Sequence, residues 1–364
     1  MDTPELIIVG GGIAGSAAAL RAAQNHLRTI WVLGDKETRR RSRAEYVYNV
    51  DNMIGVHPDL VLDQLDLPER PTLHIGTRAI IENVKKRLAP YADFVTLVEG
   101  EVTAARKRDE GFEVEVGSEW LGARNLILAT GCMDRQPIIG KEKGGKIREM
   151  PHWVFPFANA ETVLYCIRCE GHLTREARVG ILGHSETAAQ VALMVAERYG
   201  TCRYLFTNGQ PCEAQGDTRK LLAHHGVEIV EAPIRDLEAG TEDGKTKKGF
   251  LAAVHVEASP ENRRCPVDFL FVSLGIYRIY NDLAVQLGAS LLNEDRPIEE
   301  RHVRIDAKAE TDVRGLFAVG DVALRPDEPV MKQIYTSQEY AVRAVDNIDR
   351  RRRSRLRQEI LAGP

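Results

Sequence analysis

Two cysteines with two residues between them, followed at once by an acid and a glycine, make up the most chemically pointed stretch of the chain: YCIRCEGH, Tyr165 to His172. Cysteines at this spacing can form half of a zinc site, a structural disulfide or a redox dithiol. A tetrahedral zinc site needs about four ligands. The sequence offers Cys166, Cys169 and His172, with no second CxxC and no HxxxH to complete the set. The remaining four of the six cysteines, Cys132, Cys202, Cys212 and Cys265, carry no motif and read as small hydrophobes. The dithiol reading leads, because such a pair opens and closes with little backbone movement. Its thiolate is favoured at a helix N-terminus and beside a cation, here Arg168. Glu170 is placed to protonate a leaving thiolate; its other reading is a helix-start carboxylate held by the dipole. His172 reads as an ordinary histidine.

The surroundings of this pair must be globular. The chain has 364 residues, 43% hydrophobic and 28% charged, enough for two domains with a core each. Its formal charge of −4 (49 basic against 53 acidic residues) gives no general electrostatic reason to expect nucleic acid or an anionic membrane as partner. No apolar run approaches the roughly 18 residues of a membrane span. The opening MDTPELIIVGGG enters an apolar strand at once, without the basic region and cleavage site of a secretory signal. The expectation is a cytoplasmic protein, where thiols are kept reduced and a purely structural disulfide is out of place.

The elements that would hold a cofactor come in two copies. Leu6 to Ala23, LIIVGGGIAGSAAALRAA, is an aliphatic run, a glycine turn and an alanine-rich helix. Gly10, Gly12 and Gly15 make GxGxxG at the strand-to-helix junction, the pattern that lets backbone approach a pyrophosphate on a helix N-terminus. A second strand, Thr29 to Leu33, is followed by Asp35, where an acid commonly meets an adenosine ribose. Arg178 to Phe206 repeats strand, turn, helix and strand, and apolar strands end in glycine at Gly131 and Gly275. Two nucleotide-binding-like domains are the natural inference, with the CxxC just upstream of the second unit.

In this order, VGGGIAG, VDNMIG at Val50 to Gly55, ATG at Ala129 to Gly131, CIRCEG, the second unit, GLFAVGDVA at Gly315 to Ala323 and KQIYTS at Lys332 to Ser337 resemble the low-molecular-weight thioredoxin reductases, FAD-dependent disulfide oxidoreductases. The resemblance covers nearly the whole chain. It implies an α/β fold of two three-layer Rossmann-like domains: an FAD domain of residues 1–133 and 271–364, and an inserted dithiol-bearing domain of residues 134–270. It implies that Gly10, Gly12, Ile13, Ala14 and Gly15 hold the FAD pyrophosphate and that Asp35 and Val102 face the adenosine. It further implies that Asn52 lies by the flavin, Thr130 and Gly131 pass under the cofactor, Asp321 binds the ribityl or pyrophosphate portion, and Lys332 and Gln333 approach the isoalloxazine edge. Cys169 would face the flavin, Cys166 would attack the substrate disulfide, and Glu170 would take the place of the family's usual aspartate. A homodimer is implied in the same way.

The departures concern the second unit. Its turn reads GHSETA, with Ser185 where a glycine would admit phosphate, and TNG at Thr207 to Gly209 stands where thioredoxin reductases usually carry HRR to clamp the 2′-phosphate of NADPH. These changes resemble pyridine-nucleotide-independent branches, including the cyanobacterial diflavin-linked disulfide oxidoreductases. They point to a ferredoxin-like donor or a second flavin, with a thioredoxin-like protein or small disulfide as substrate. An NADPH-dependent thioredoxin reductase, a thiol oxidase and a non-catalytic redox sensor are the rival readings. Two arginine-rich runs, Lys36 to Arg43 and Arg350 to Arg357, read as solvated faces, a screen for cofactor phosphates, or a surface for an acidic donor.

Overall fold

The computed structural model describes residues 3–50, 52–56, 75–143, 146–242 and 245–363; Asp51 of the VDNMIG stretch lies outside the described residues. The chain divides into two compact units. The first comprises residues 1–134 and 276–364, the second residues 135–275.

In the first unit five strands run parallel in the order Leu316–Ala318, Asn125–Leu128, Leu6–Val9, Thr29–Val32, Val95–Val98. The central strand Leu6–Val9 is buried along its whole length, as its unbroken aliphatic run requires of a strand covered on both faces. One cover is the Ile13–Gln24 helix, whose Ala18, Ala19, Ala22 and Ala23 are buried. Small side chains there let the long C-terminal helix, Ile334–Ala362, contribute Ala341, Ala344, Val345 and Ile348 to the same core. Arg21 ties the two helices together through Asp346 at 2.6 and 3.0 Å. Part of the other cover is a three-stranded antiparallel sheet, Val102–Arg108, Gly111–Val116 and Glu119–Ala123, whose Ala105, Phe112, Val114 and Ala123 join that core.

The second unit repeats the plan. Its parallel sheet runs Val163–Leu164, Phe269–Val272, Val179–Leu182, Cys202–Phe206, Glu228–Val230. The Glu186–Tyr199 helix covers one face, and the antiparallel strands Ile234–Glu242, Lys245–Val256 and Arg263–Pro266 add buried residues to a core shared with the sheet. Both units are therefore three-layer Rossmann-like folds. A boundary drawn at residue 271 would pass through the Phe269–Val272 strand, which is hydrogen-bonded in register to Val179–Leu182. The arginine run 350–357 belongs to the Ile334–Ala362 helix, where Arg351 pairs with Glu310 at 2.5 Å and Arg355 with Glu5 at 2.6 Å.

The first glycine turn is the tightest constraint in the fold. Gly10 has φ +125°, and a Cβ there would run into the Ala129 carbonyl. Gly117, also at positive φ (+63°), has nothing within 4 Å of the same position. Gly10→Ala should therefore cost about 3 kcal/mol or more, combining backbone strain with a clash. Gly117→Ala should cost only about 1 kcal/mol. Urea unfolding midpoints of the two variants make the comparison; equal losses would contradict this account of the turn.

Candidate functional site

At the carboxyl end of the first parallel sheet lies a cleft of about 1090 Å³. That is large enough for a dinucleotide, at the top of the range for small-molecule sites. Gly10, Gly12, Val102 and Thr130 line it, together with Gly34, Thr38 and Tyr280. The Ile13–Gln24 helix opens on it with Gly12 at the N-cap, no side-chain cap and no acid in the first turn. Its first N–H groups and the positive end of its dipole thus have no competing partner from a cap side chain. A Cβ at Gly12 would meet only the Ala44 methyl, at 3.8 Å. The gap is open where a pyrophosphate would approach. Gly15 serves packing instead, since its Cβ would run into the carbonyl of Gly10. Ile13 and Ala14 are buried in the helix. These residues fit an FAD diphosphate.

The other residues expected at the cofactor fall into four groups. Asp35 caps the short Lys36–Arg39 helix, its carboxylate accepting from the Thr38 N–H at 2.8 Å and the Thr38 hydroxyl at 2.5 Å. Asn52 donates to the Gln333 side chain at 2.8 Å, so those two stand together across 281 residues of sequence. Thr130 donates to the Tyr280 carbonyl at 2.6 Å, and Gly131 follows at φ +73°.

Asp321 and Lys332 belong to a polar cluster that local sequence did not reveal. Arg43 bridges Asp134, at 2.7 Å from its Nε, and Asp321, at 3.0 Å. Lys332 Nζ lies 3.4 Å from the Cys132 sulfur, which is 3.7 Å from Asp321. Burial alone would weaken the Arg43 proton, but Cys132, Asp321 and Asp134 more than offset that and hold the guanidinium more firmly charged than usual. Burial, then Asp321, pushes the Cys132 thiol up to about 11 against the pull of Arg43 and Lys332. Asp321 and Lys332 are expected at the cofactor from sequence, and Cys132 follows ATG directly, but nothing in the sequence joins them to Arg43 and Asp134. Nothing in the arginine run singled out Arg43 from neighbours such as Arg40 and Arg41, which pair with Glu37 and Glu101 at 2.9 Å.

In the second unit Cys166 and Cys169 form a disulfide. Cys166 caps the four-residue Ile167–Glu170 helix, its sulfur 3.1 Å from the Cys169 N–H. Glu170 folds back over this loop and accepts from the backbone N–H groups of Tyr165 at 3.1 Å and Cys166 at 3.0 Å. Burial raises its pKa above the ordinary carboxylate value, against the lowering effect of those N–H groups. Arg168 and His172 are exposed. Among the described residues no group of three or more His, Cys, Asp or Glu is arranged to hold a metal, and no helix is long and apolar enough to cross a membrane.

The second glycine turn is built differently from the first. Ser185 caps the Glu186–Tyr199 helix by accepting from the Ala188 N–H at 3.2 Å. Glu186 occupies the first turn, its carboxylate held by Thr218 at 2.6 Å and Gln190 at 2.9 Å and its pKa lowered by those two bonds. The TNG residues bond to protein. Thr207 donates to the Gln210 carbonyl, while Asn208 donates to Ile138 at 2.9 Å and accepts from the Ile234 N–H at 2.7 Å.

The raised pKa of Glu170 has a stability consequence. A carboxyl whose native pKa lies above its unfolded value stabilises the fold below that unfolded value, near 4.3, and loses the contribution as pH rises through the native pKa. Glu170→Gln should remove that loss. The variant should gain on wild type as pH rises from about 4 through the native pKa in urea unfolding, and a stability difference that stays constant over that rise would show that the buried carboxylate is not under strain.

A family model for pyridine nucleotide-disulphide oxidoreductases matches residues 4–341. Among curated proteins, an alkyl hydroperoxide reductase component of Pseudomonas aeruginosa is 25% identical over 354 residues, 96% of this chain and 59% of that protein. The chain thus spans about three fifths of that relative. Thioredoxin reductase of Treponema pallidum is 25% identical over 324 residues, 87% of this chain and 88% of its own. A ferredoxin–NADP reductase of Picrophilus torridus is 24% identical over 362 residues, 96% and 94% of the two chains. Thioredoxin reductase from Streptococcus pyogenes shares the fold, with a TM-score of 0.73 at 17% identity over 96% of this chain and 98% of the other. With a match over nearly its whole length, the chain belongs to the pyridine nucleotide-disulphide oxidoreductase family.

Proposed function

We propose that this chain reduces a disulfide, in a thioredoxin-like protein or a small molecule, through Cys166 and Cys169, and that its electrons come from a donor other than NADPH. The observation that carries the reading is the difference between the two helix N-termini. At Gly12 the first turn has no side-chain cap and no acid. At Ser185 the cap is filled by the protein's own hydroxyl and an ionised Glu186 follows it. A pyrophosphate there would lose an N–H and meet a carboxylate. The clamp for a 2′-phosphate is missing as well, since Asn208 is spent on backbone groups. Charge-assisted contacts are worth roughly 1.5–3 kcal/mol each, so losing two weakens NADPH by about a hundredfold or more.

The chemistry is that of a dithiol. The Cys166 thiolate attacks the substrate disulfide, a mixed disulfide forms and one substrate thiolate leaves, taking a proton for which Glu170 is the nearest acid in the loop. Cys169 then displaces the second substrate thiol and the Cys166–Cys169 disulfide closes, so that two electrons have passed to the substrate. FAD, when bound by the residues around Gly12, supplies electron pairs to such a disulfide. In this reading Asp35 and Val102 serve the adenosine side, Asn52, Lys332 and Gln333 the flavin side, and Asp321 the ribityl chain. The FAD domain is built from both ends of the chain with the dithiol domain between them. The donor is a reduced ferredoxin-like protein or a second flavin. The Picrophilus torridus relative couples ferredoxin to NADP by name, and of those two partners it is the nucleotide whose cradle is incomplete here. A cytoplasmic homodimer completes the reading, supported by the thioredoxin reductase resemblance.

Two measurements test it. The Cys166→Ser/Cys169→Ser variant should keep its flavin and lose multiple turnovers on every disulfide; wild-type turnover would refute the dithiol. Anaerobic stopped-flow bleaching of the flavin with NADPH, NADH and reduced ferredoxin in parallel should give the fastest reduction with ferredoxin. Rapid, saturable bleaching by micromolar NADPH would return the protein to the NADPH-dependent reading.

A further inference from the structure

His302 is 1% exposed, and neither of its ring nitrogens has a hydrogen-bond partner. A buried imidazole in this state is rare and calls for an explanation, most often an ordered water. The space exists: His302 lines a cavity with Gly320, Asp321, Lys332, Ser337 and Tyr340, with about 10 Å³ of room for a water centre. That is about the least space that admits one water. The walls supply complementary groups. Lys332 has three N–H donors and meets a thiol, a weak acceptor, at 3.4 Å. Asp321 offers carboxylate oxygens, and a neutral imidazole offers one donor and one acceptor.

We propose that His302 holds one ordered water against Lys332 and Asp321, and that this contact positions the Lys332 ammonium where it sets the reduction potential of the bound flavin. The role in potential rests on the flavin reading proposed for this chain. Burial, followed by the nearby charges of Lys332 and Arg296, lowers the His302 pKa to about 3, so the ring stays neutral and keeps an acceptor nitrogen at any working pH. His302 is thereby a positioning residue. It brings no charge of its own, and its effect passes through the fixed cation, which favours uptake of electrons by a nearby group.

The contact and the potential are tested separately. In the purified chain, ¹⁵N shifts of the His302 ring should move when Lys332 is changed to Met, whether or not flavin is bound; unmoved shifts would overturn the water-mediated contact. In the flavin-loaded protein, His302→Leu should lower the reduced-to-oxidised ratio against an indicator dye by about threefold, the lower end of coupling between neighbouring groups. Lys332→Met should act in the same direction, and His302→Leu should add nothing in the Lys332→Met background. His302→Asn, which can still hold a water, should restore the ratio. A wild-type ratio in His302→Leu, or full additivity of the two changes, would overturn the role in potential. If the leucine variant does not fold, the asparagine variant and the ring shifts decide. A chain that binds no flavin would refute the functional reading, and the ring shifts alone would then decide the His302 contact.

Discussion

The close approach of backbone to backbone at the first strand-to-helix turn is the constraint on which the first unit depends. Gly10 passes so near Ala129, and Gly15 so near Gly10, that neither position has room for a side chain. Trp31, fully buried on the next strand, donates its indole N–H to the Gly10 carbonyl at 2.9 Å and locks the turn from the sheet side. The rest follows from this approach. It brings the Ile13–Gln24 helix down onto the sheet by its alanines, points its uncapped N-terminus at the cleft, and sets Thr130 of the neighbouring strand end on the cleft wall.

The second unit repeats the strand order but not the electrostatics. Gly183 still allows close approach, because a Cβ there would meet the Ser273 carbonyl and the Ala188 methyl. The fold of the turn is thus retained, while Ser185 takes one of the helix's N-terminal donors and Glu186 puts a carboxylate in the first turn. Tight turn geometry and phosphate binding are separable properties of the same motif. The first needs glycine where backbones touch; the second needs donors left vacant.

How much of this was legible in the sequence follows the same division. The strand, glycine turn and helix at each unit were readable because their requirements are local: an aliphatic run, a glycine at a touching backbone, small residues on a buried helix face. Motif resemblance points to Asn52 and Gln333 one at a time, and the structure joins their side chains in one hydrogen bond. Arg43, Asp134 and Asp321 were not readable as a unit, since the partners of Arg43 lie 91 and 278 residues away and its run looks like any solvated basic face. His302 gave no signal at all, because what distinguishes it is the lack of a partner in a buried place. The arginines near the C-terminus likewise look like a loose tail in sequence, yet Arg351 and Arg355 reach back to Glu310 and Glu5.

The central claim is that one cradle binds a dinucleotide and the other has been closed. Counting bound dinucleotide at each turn tests it most directly, by releasing flavin from the purified chain and titrating the same chain with NADPH by calorimetry. The account predicts FAD retained by the wild type and lost in Gly12→Asp, where a carboxylate would project into the pyrophosphate gap, with no NADPH binding in the micromolar range to either protein. FAD retention by Gly12→Asp, or NADPH binding to the wild type in the micromolar range, would contradict it.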